Sequence, residues 1–111
     1  VISSYATGSQ SYVSIRLDKQ ALPPAAPNSL AASVSSGSIA LTWTAGDATE
    51  ENYDIQRKSS ATGAYVSIGL PTSETFEDTT VITANTYWYR VFAKNTNGTS
   101  IGSNVISVVA Q

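Results

Sequence analysis

The sequence predicts an all-β protein built as a sandwich of two antiparallel sheets, and two observations support this. Apolar residues recur at every second position in short runs, which is the period of a strand with one buried face. Clusters of Gly, Pro, Asn and Ser interrupt these runs at short intervals, as turns do in sandwiches. The chain has 111 residues, of which 41% are hydrophobic and 13% charged. That is enough apolar material for one core.

Seven strands are expected after residue 28, at positions 30–34, 39–43, 53–57, 65–68, 75–78, 87–94 and 104–110. Polar loops are expected at 45–52 and 95–102. The inward positions of these strands define the predicted core: Leu30, Ile39, Leu41, Trp43, Tyr53, Ile55, Phe76, Tyr87, Tyr89, Val91, Ile106 and Val108.

The chain is predicted to have three parts. Residues 1–22 are interpreted as a β-hairpin or the tail of an upstream module, with Val13, Ile15 and Leu17 on one face of its second arm. An isolated hairpin is only marginally stable in water, so we expect this one to dock on a sandwich, its own or a neighbour's. Residues 23–27 carry three prolines and are predicted to form a stiff connector, because proline fixes φ and lacks an N–H donor. Residues 28–111 form the sandwich domain.

Composition argues against several classes of function. The chain has no His, Cys or Met, which excludes disulfides, thiolate or histidine metal sites and Ser-His-Asp catalysis. A net charge of −2 argues against a nucleic-acid partner, and no apolar run is long enough for membrane insertion. Asp47, Glu50, Glu51 and Asp54 lie close in sequence, and we interpret them as a solvated loop. No enzymatic activity, cofactor or metal is therefore expected.

An aromatic surface patch is the most informative candidate site. Alternation along residues 87–94 puts the even-numbered side chains outside the sandwich. Trp88, Arg90 and Phe92 are therefore expected on the surface, together with Val109 of the last strand. A large exposed apolar patch needs a partner or a cover. Three explanations stay open: the patch stacks sugar rings, it contacts an upstream module, or the N-terminal hairpin folds over it.

Residues 24–111 resemble a fibronectin type III domain. The resemblance is carried by a proline-led entry at 24–30, by Ile39-Ala40-Leu41-Thr42-Trp43, by Tyr53-Asp54-Ile55-Gln56-Arg57, and by Tyr87-Trp88-Tyr89-Arg90-Val91-Phe92-Ala93-Lys94-Asn95 with its tyrosine corner. It implies a seven-stranded immunoglobulin-like sandwich. Val81 and Thr83 depart from the family, which usually has Leu and Pro there.

The resemblance extends to the domains found between catalytic and sugar-binding domains of secreted bacterial hydrolases. It implies a non-catalytic spacer or interaction module of a larger secreted, polysaccharide-active protein, located outside the cell or at its surface. The implied partners are neighbouring domains of the same chain and polysaccharide. Two alternatives stay open: an accessory carbohydrate-binding module acting through the aromatic patch, and a cell-surface adhesion domain.

Overall fold

The protein is a two-sheet β-sandwich in a computed structural model, which describes residues 22–111. This part of the chain contains eight strands and no helix. The strands are β1 (Asn28–Ser35), β2 (Ser38–Thr44), β3 (Asn52–Lys58), β4 (Val66–Gly69), β5 (Thr75–Asp78), β6 (Thr86–Asn95), β7 (Gly98–Thr99) and β8 (Ile106–Val109). The predicted N-terminal hairpin and its docking lie outside the described residues.

All strand pairs are antiparallel, and the strands divide into two sheets. The first sheet has the order β1-β2-β5, and the second has the order β4-β3-β6, with β7 and β8 both pairing with β6. Strands that are consecutive in the chain thus often lie in different sheets. The predicted all-β antiparallel sandwich is confirmed, and the first six strands lie within two residues of their predicted bounds.

The last predicted strand is present as β8, within residues 104–110, and β7 is an additional short strand inside the predicted loop at 95–102. Between β7 and β8 the regular pairing is interrupted, but the N–H groups of Ser100 and Ser103 still donate to the Ala93 and Val91 carbonyls at 2.8 Å. Serine hydroxyls act as the acceptors for β6. The Val91 N–H donates to Ser103 Oγ at 2.9 Å, and the Ala93 N–H donates to Ser100 Oγ at 2.9 Å. The donors of β6 are therefore satisfied where the regular ladder is interrupted, which alternation alone does not reveal.

The core lies between the sheets and follows the predicted inward positions. Phe76, Ile106 and Val108 are partly buried and pack against the core, and the other predicted core residues are buried. Trp43 and Tyr53 make an edge-to-face contact with ring centroids 5.2 Å apart. These large rings come from different sheets, so they join the two layers.

The tyrosine corner is present. The Ile82 N–H donates to the Tyr87 hydroxyl at 2.8 Å, across the loop that precedes β6. Val81 is partly buried against the core, in the position where the family usually has Leu. The bond fixes the loop to the start of β6, and this strand carries the candidate site.

The connector and Gln111 lie at opposite ends of the sandwich. Pro24 and Pro27 are buried, and the Ala25 N–H donates to Asp47 Oδ2 at 2.9 Å in the β2–β3 loop. At the other end, the Gly37 N–H donates to the Gln111 carbonyl at 2.9 Å. Strand β2 runs from one end to the other, a span of roughly 23 Å at about 3.3 Å per residue. The predicted division of the chain at residues 23–27 stays a prediction.

Candidate functional site

The candidate site is the outer face of the five-stranded sheet. Along β6 the even-numbered side chains are partly exposed, and the odd-numbered ones from Tyr87 to Ala93 are buried. Trp88, Arg90 and Phe92 therefore point outward, as predicted. The neighbouring strand β3 brings Lys58 opposite Trp88 and Gln56 opposite Arg90.

Cations and aromatic rings alternate across this face. The Arg90 guanidinium lies 3.9 Å from the ring centroid of Tyr65 and 5.0 Å from that of Phe92. Lys58 Nζ lies 5.0 Å from the Tyr65 centroid and 5.7 Å from the Trp88 ring. We call these five residues the cation–aromatic ladder. Such contacts stabilise by about 0.5–1 kcal/mol each at exposed sites.

A chain of hydrogen bonds fixes Arg90 within the ladder. Arg90 Nε donates to Gln56 Oε1 at 2.8 Å, and Gln56 Nε2 donates to Asp54 Oδ2 at 3.0 Å. The Ser67 hydroxyl donates to the other oxygen of Asp54. Arg90 is therefore held at its Nε and across the planes of two rings. Its two terminal Nη groups make no hydrogen bond to residues 22–111.

The predicted site residues are brought together in part. Arg90 and Phe92 are in contact, and Trp88 joins them through Lys58 and Tyr65. Val109, on β8, is 54% exposed and pairs with Thr86 of β6, at the border of this face. The aromatic patch predicted from the sequence did not include Lys58 or Tyr65. The register that pairs Lys58 with Trp88 is a property of the sheet, which no local pattern contains.

The ladder changes the interpretation of the aromatic patch. Arg90 covers one face of Tyr65 and one of Phe92, and a Cβ built at Gly102 would lie 3.3 Å from the Phe92 ring. Trp88 and Phe92 are therefore partly buried rather than openly exposed. Tyr65 and Phe92, which carry Arg90 on their ring faces, present charge to the solvent instead of a bare stacking platform.

The four clustered carboxylates do not form one site. The Asp47 side chain accepts hydrogen bonds from the N–H groups of Thr49 and Ala25. These bonds lower the pKa of Asp47, and the bond from Thr49 has the larger effect. Asp54 lies on β3 and belongs to the ladder's hydrogen-bond chain. Glu51 is exposed, whereas Glu50 is partly buried. Asp47 therefore holds the connector, and no carboxylate pair is assembled here.

A buried carboxylate joins the two sheets at the other end of the sandwich. Asp78 of β5 accepts hydrogen bonds from the Tyr89 hydroxyl at 2.7 Å, from Arg57 Nη1 at 2.8 Å, and from both the N–H and the hydroxyl of Thr80. Burial disfavours the ionised form, but these donors outweigh it and hold the pKa of Asp78 below its usual range. All of its partners come from the protein, so we assign Asp78 to stability. No local sequence pattern predicts this cluster.

Tyr53 is a second buried phenol bonded to a carboxylate. Its hydroxyl donates to Glu74 Oε2 at 2.9 Å. Burial, followed by this hydrogen bond and the nearby charge of Glu50, raises the pKa of Tyr53 well above its usual value. The phenol is therefore protonated at neutral pH and acts as a hydrogen-bond donor, not as a nucleophile.

Two kinds of feature are absent from residues 22–111: a metal-binding cluster of side chains and a membrane-spanning helix. No group of three or more His, Cys, Asp or Glu side chains in this range is arranged to hold a metal ion. No helix in the same range has the length and apolar character to cross a membrane.

Of the basic residues on β3 and β6, Lys58, Arg90 and Lys94 share the outer face, whereas Arg57 is paired with Asp78.

Comparison with solved structures identifies the type of sandwich. No family model and no curated protein sequence matches the chain. A Fn3-like protein from Clostridium thermocellum is similar at a TM-score of 0.69 and 28% identity, over 79% of this chain and 94% of that chain. The chain contains a fibronectin type III domain.

Other fibronectin type III structures are similar as parts of longer chains. Domains A168–A170 from titin match at a TM-score of 0.71 and 24% identity, over 78% of this chain and 32% of theirs. The FN1–FN3 domains of chicken CNTN1 match at 0.71 and 22% identity, over 81% and 33%. The chain thus spans about a third of each of these structures. In each of these structures the matching part is one module among several.

Proposed function

We propose that the chain is a non-catalytic spacer and interaction module of a larger secreted, polysaccharide-active protein, located outside the cell or at its surface. The observation that carries the spacer role is the attachment of the connector at the end of the sandwich opposite Gln111. Asp47 accepts the Ala25 N–H, and the Asn95 side chain donates to the Leu22 carbonyl at 3.4 Å. A connector bonded to the domain transmits the domain's orientation to whatever precedes it.

The surface beside the connector supports a contact with a neighbouring domain of the same chain. A shallow cleft at this end is lined by Leu22, Pro23, Asp47, Thr49, Glu51, Asn95, Thr96 and Asn97. Leu22 is 57% exposed at its rim. Surfaces that combine polar and apolar side chains in this way are typical of interfaces between domains within a chain.

The spacer role can be tested by distance measurement, since the chain has no native cysteine. Leu22→Cys and Gln111→Cys, both at exposed positions, accept a pair of spin labels. We expect one narrow distance population, centred at roughly 25–35 Å from the length of β2 plus its flanking turns. Asp47→Ala should broaden it by releasing the connector, and Glu77→Ala, which removes an exposed acid from β5, should not.

Two results would contradict the spacer role. A broad distribution in the unmodified background would mean that the connector does not fix orientation. An equally narrow distribution after Asp47→Ala would mean that the bond to Ala25 plays no part in fixing it. Either result separates the spacer role from any ligand binding, because the labels report geometry alone.

The alternative of a carbohydrate-binding module is favoured by one observation, the cation–aromatic ladder on the sheet face. A neutral sugar needs an open ring face, and Arg90 already covers faces of Tyr65 and Phe92. This alternative is therefore limited to ligands that also satisfy the cations. No observation on the described residues favours the adhesion alternative in the same way.

A further inference from the structure

We infer that the cation–aromatic ladder is a binding site for an acidic polysaccharide, with Arg90 gripping a carboxylate of the polymer. This inference rests on the proposed role as an interaction module and names the partner of its sheet face. It requires neither the spacer geometry nor any particular parent protein.

Arg90 is prepared for a carboxylate by its own contacts. Its Nε is bound to Gln56, and its guanidinium is stacked on Tyr65 and Phe92. The two Nη groups, which have no partner among residues 22–111, form the fork that pairs with both oxygens of a carboxylate. Because the side chain is already fixed, little rotamer entropy is lost when it binds.

The charge of the face is opposite to that of the whole chain. Three cations, Lys58, Arg90 and Lys94, lie on the outer face of β3 and β6. Asp54 is the one acidic residue on these two strands. Asp54 is engaged by Gln56 and Ser67, so it supports the site rather than neutralising Arg90 directly. Within a Debye length of about 8–10 Å, an approaching anion therefore meets a cationic surface despite the net charge of −2.

The aromatic residues favour a sugar polymer over an acidic peptide. Trp88 lies two residues before Arg90 on β6, so the two side chains share a face and their Cα atoms are about 7 Å apart. A uronate ring can present a C–H face to the indole while its carboxylate reaches Arg90.

Strand pairing also disfavours a peptide. The best-known route for an extended peptide is addition to a sheet edge. Here β6 is paired with β3 on one side and with β7 and β8 on the other. A peptide lying over the cation–aromatic ladder would therefore form no backbone hydrogen bonds to β6. An extended acidic polymer needs no such edge.

Affinity electrophoresis of the whole chain tests the inference. De-esterified polygalacturonate in the gel should retard the protein, whereas the fully methyl-esterified polymer and poly-L-glutamate should retard it far less. Arg90→Lys keeps the charge but loses the fork, and should weaken binding by about tenfold. Arg90→Gln should weaken it by up to about a hundredfold.

Thr42→Glu is the matched control, since it lowers the net charge by the same one unit at an exposed position of the three-stranded sheet. It should change the retardation by less than about twofold. Thermal melting of each variant checks the fold, and Arg90→Lys retains the stacked cation if Arg90→Gln proves unstable.

Four results would overturn the inference. They are no retardation by polygalacturonate, equal retardation by its methyl ester, equal retardation by poly-L-glutamate, and equal losses in the Arg90→Gln and Thr42→Glu variants. Any of these, combined with a narrow distance distribution between positions 22 and 111, rejects the polysaccharide site and leaves the spacer role intact.

Discussion

Replacing Asp78 by alanine tests whether a buried carboxylate joins the two sheets. The substitution removes four hydrogen bonds, one of which is also the ion pair to Arg57. It leaves the Tyr89 hydroxyl without an acceptor in a side chain that is fully buried. Breaking a buried ion pair from one side costs about 3–5 kcal/mol. Because the Arg57 side chain is 21% exposed and can reach water, we expect about 3 kcal/mol, measured by urea unfolding at pH 7.

Tyr89→Phe provides the second arm of a double-mutant cycle. It removes one hydrogen bond while Asp78 keeps its bonds to Arg57 and Thr80, so we expect a loss of only about 1–1.5 kcal/mol. The double variant should lose less than the sum of the single losses, since the orphaned hydroxyl is gone, with a coupling of about 1 kcal/mol. A loss below about 1 kcal/mol for Asp78→Ala, or strict additivity, would refute the reasoning.

The same comparison has a defined pH dependence. The folded-state pKa of Asp78 is lowered by its hydrogen bonds, below the unfolded value of about 3.9. The stabilisation is therefore complete above the unfolded pKa and is lost as the pH falls through the folded pKa. The difference in unfolding free energy between the native chain and Asp78→Ala should shrink below about pH 4, and a difference that stays constant down to pH 2 would contradict this assignment.

Two further predictions concern packing and buried phenols. Gly46→Ala should lower the free energy of unfolding by about 1–3 kcal/mol, because its Cβ would clash with the carbonyl oxygen of Ala26. Gly63→Ala is the control and should lower it less, because the nearest neighbour is the Ser60 hydroxyl, which can rotate. Equal losses in the two variants would argue against tight packing of the connector. Burial and hydrogen bonds to carboxylates raise the pKa values of Tyr53 and Tyr89, so their contribution is present below about pH 10 and is lost as the pH rises. Tyrosinate absorbance should therefore show two phenols that ionise only on unfolding, and ionisation of every phenol near pH 10 in the folded protein would contradict this.

The fold was predictable from the sequence because strand alternation is a local property. The inward set from Leu30 to Val108 and the outward side chains Trp88, Arg90 and Phe92 follow from a period of two residues, and the structure has both. The interruption between β7 and β8 was not predictable, since serine side chains there complete the ladder of another strand.

The sites were less predictable because they depend on register and on contacts between distant segments. Lys58 joins Trp88 through the pairing of β3 with β6, and Tyr65 enters the ladder from just before β4. Asp78 gathers Arg57 and Tyr89 from the opposite sheet. None of these pairs follows from a local sequence pattern. Asp78, an isolated acid at the end of β5, therefore did not stand out in the sequence.

The two outer faces of the sandwich differ in a way that the common core does not require. The outward positions of the three-stranded sheet carry small side chains, including Ser33, Ala40, Thr42 and Thr75. The five-stranded sheet carries the cation–aromatic ladder instead. Core packing is set by the inward residues, so it does not require rings and cations on this outer face. The ladder lies on a side of the sandwich, whereas the connector and Gln111 lie at its ends. A ligand on the sheet face would therefore leave both ends open to neighbouring domains, so binding and spacing are compatible in one module.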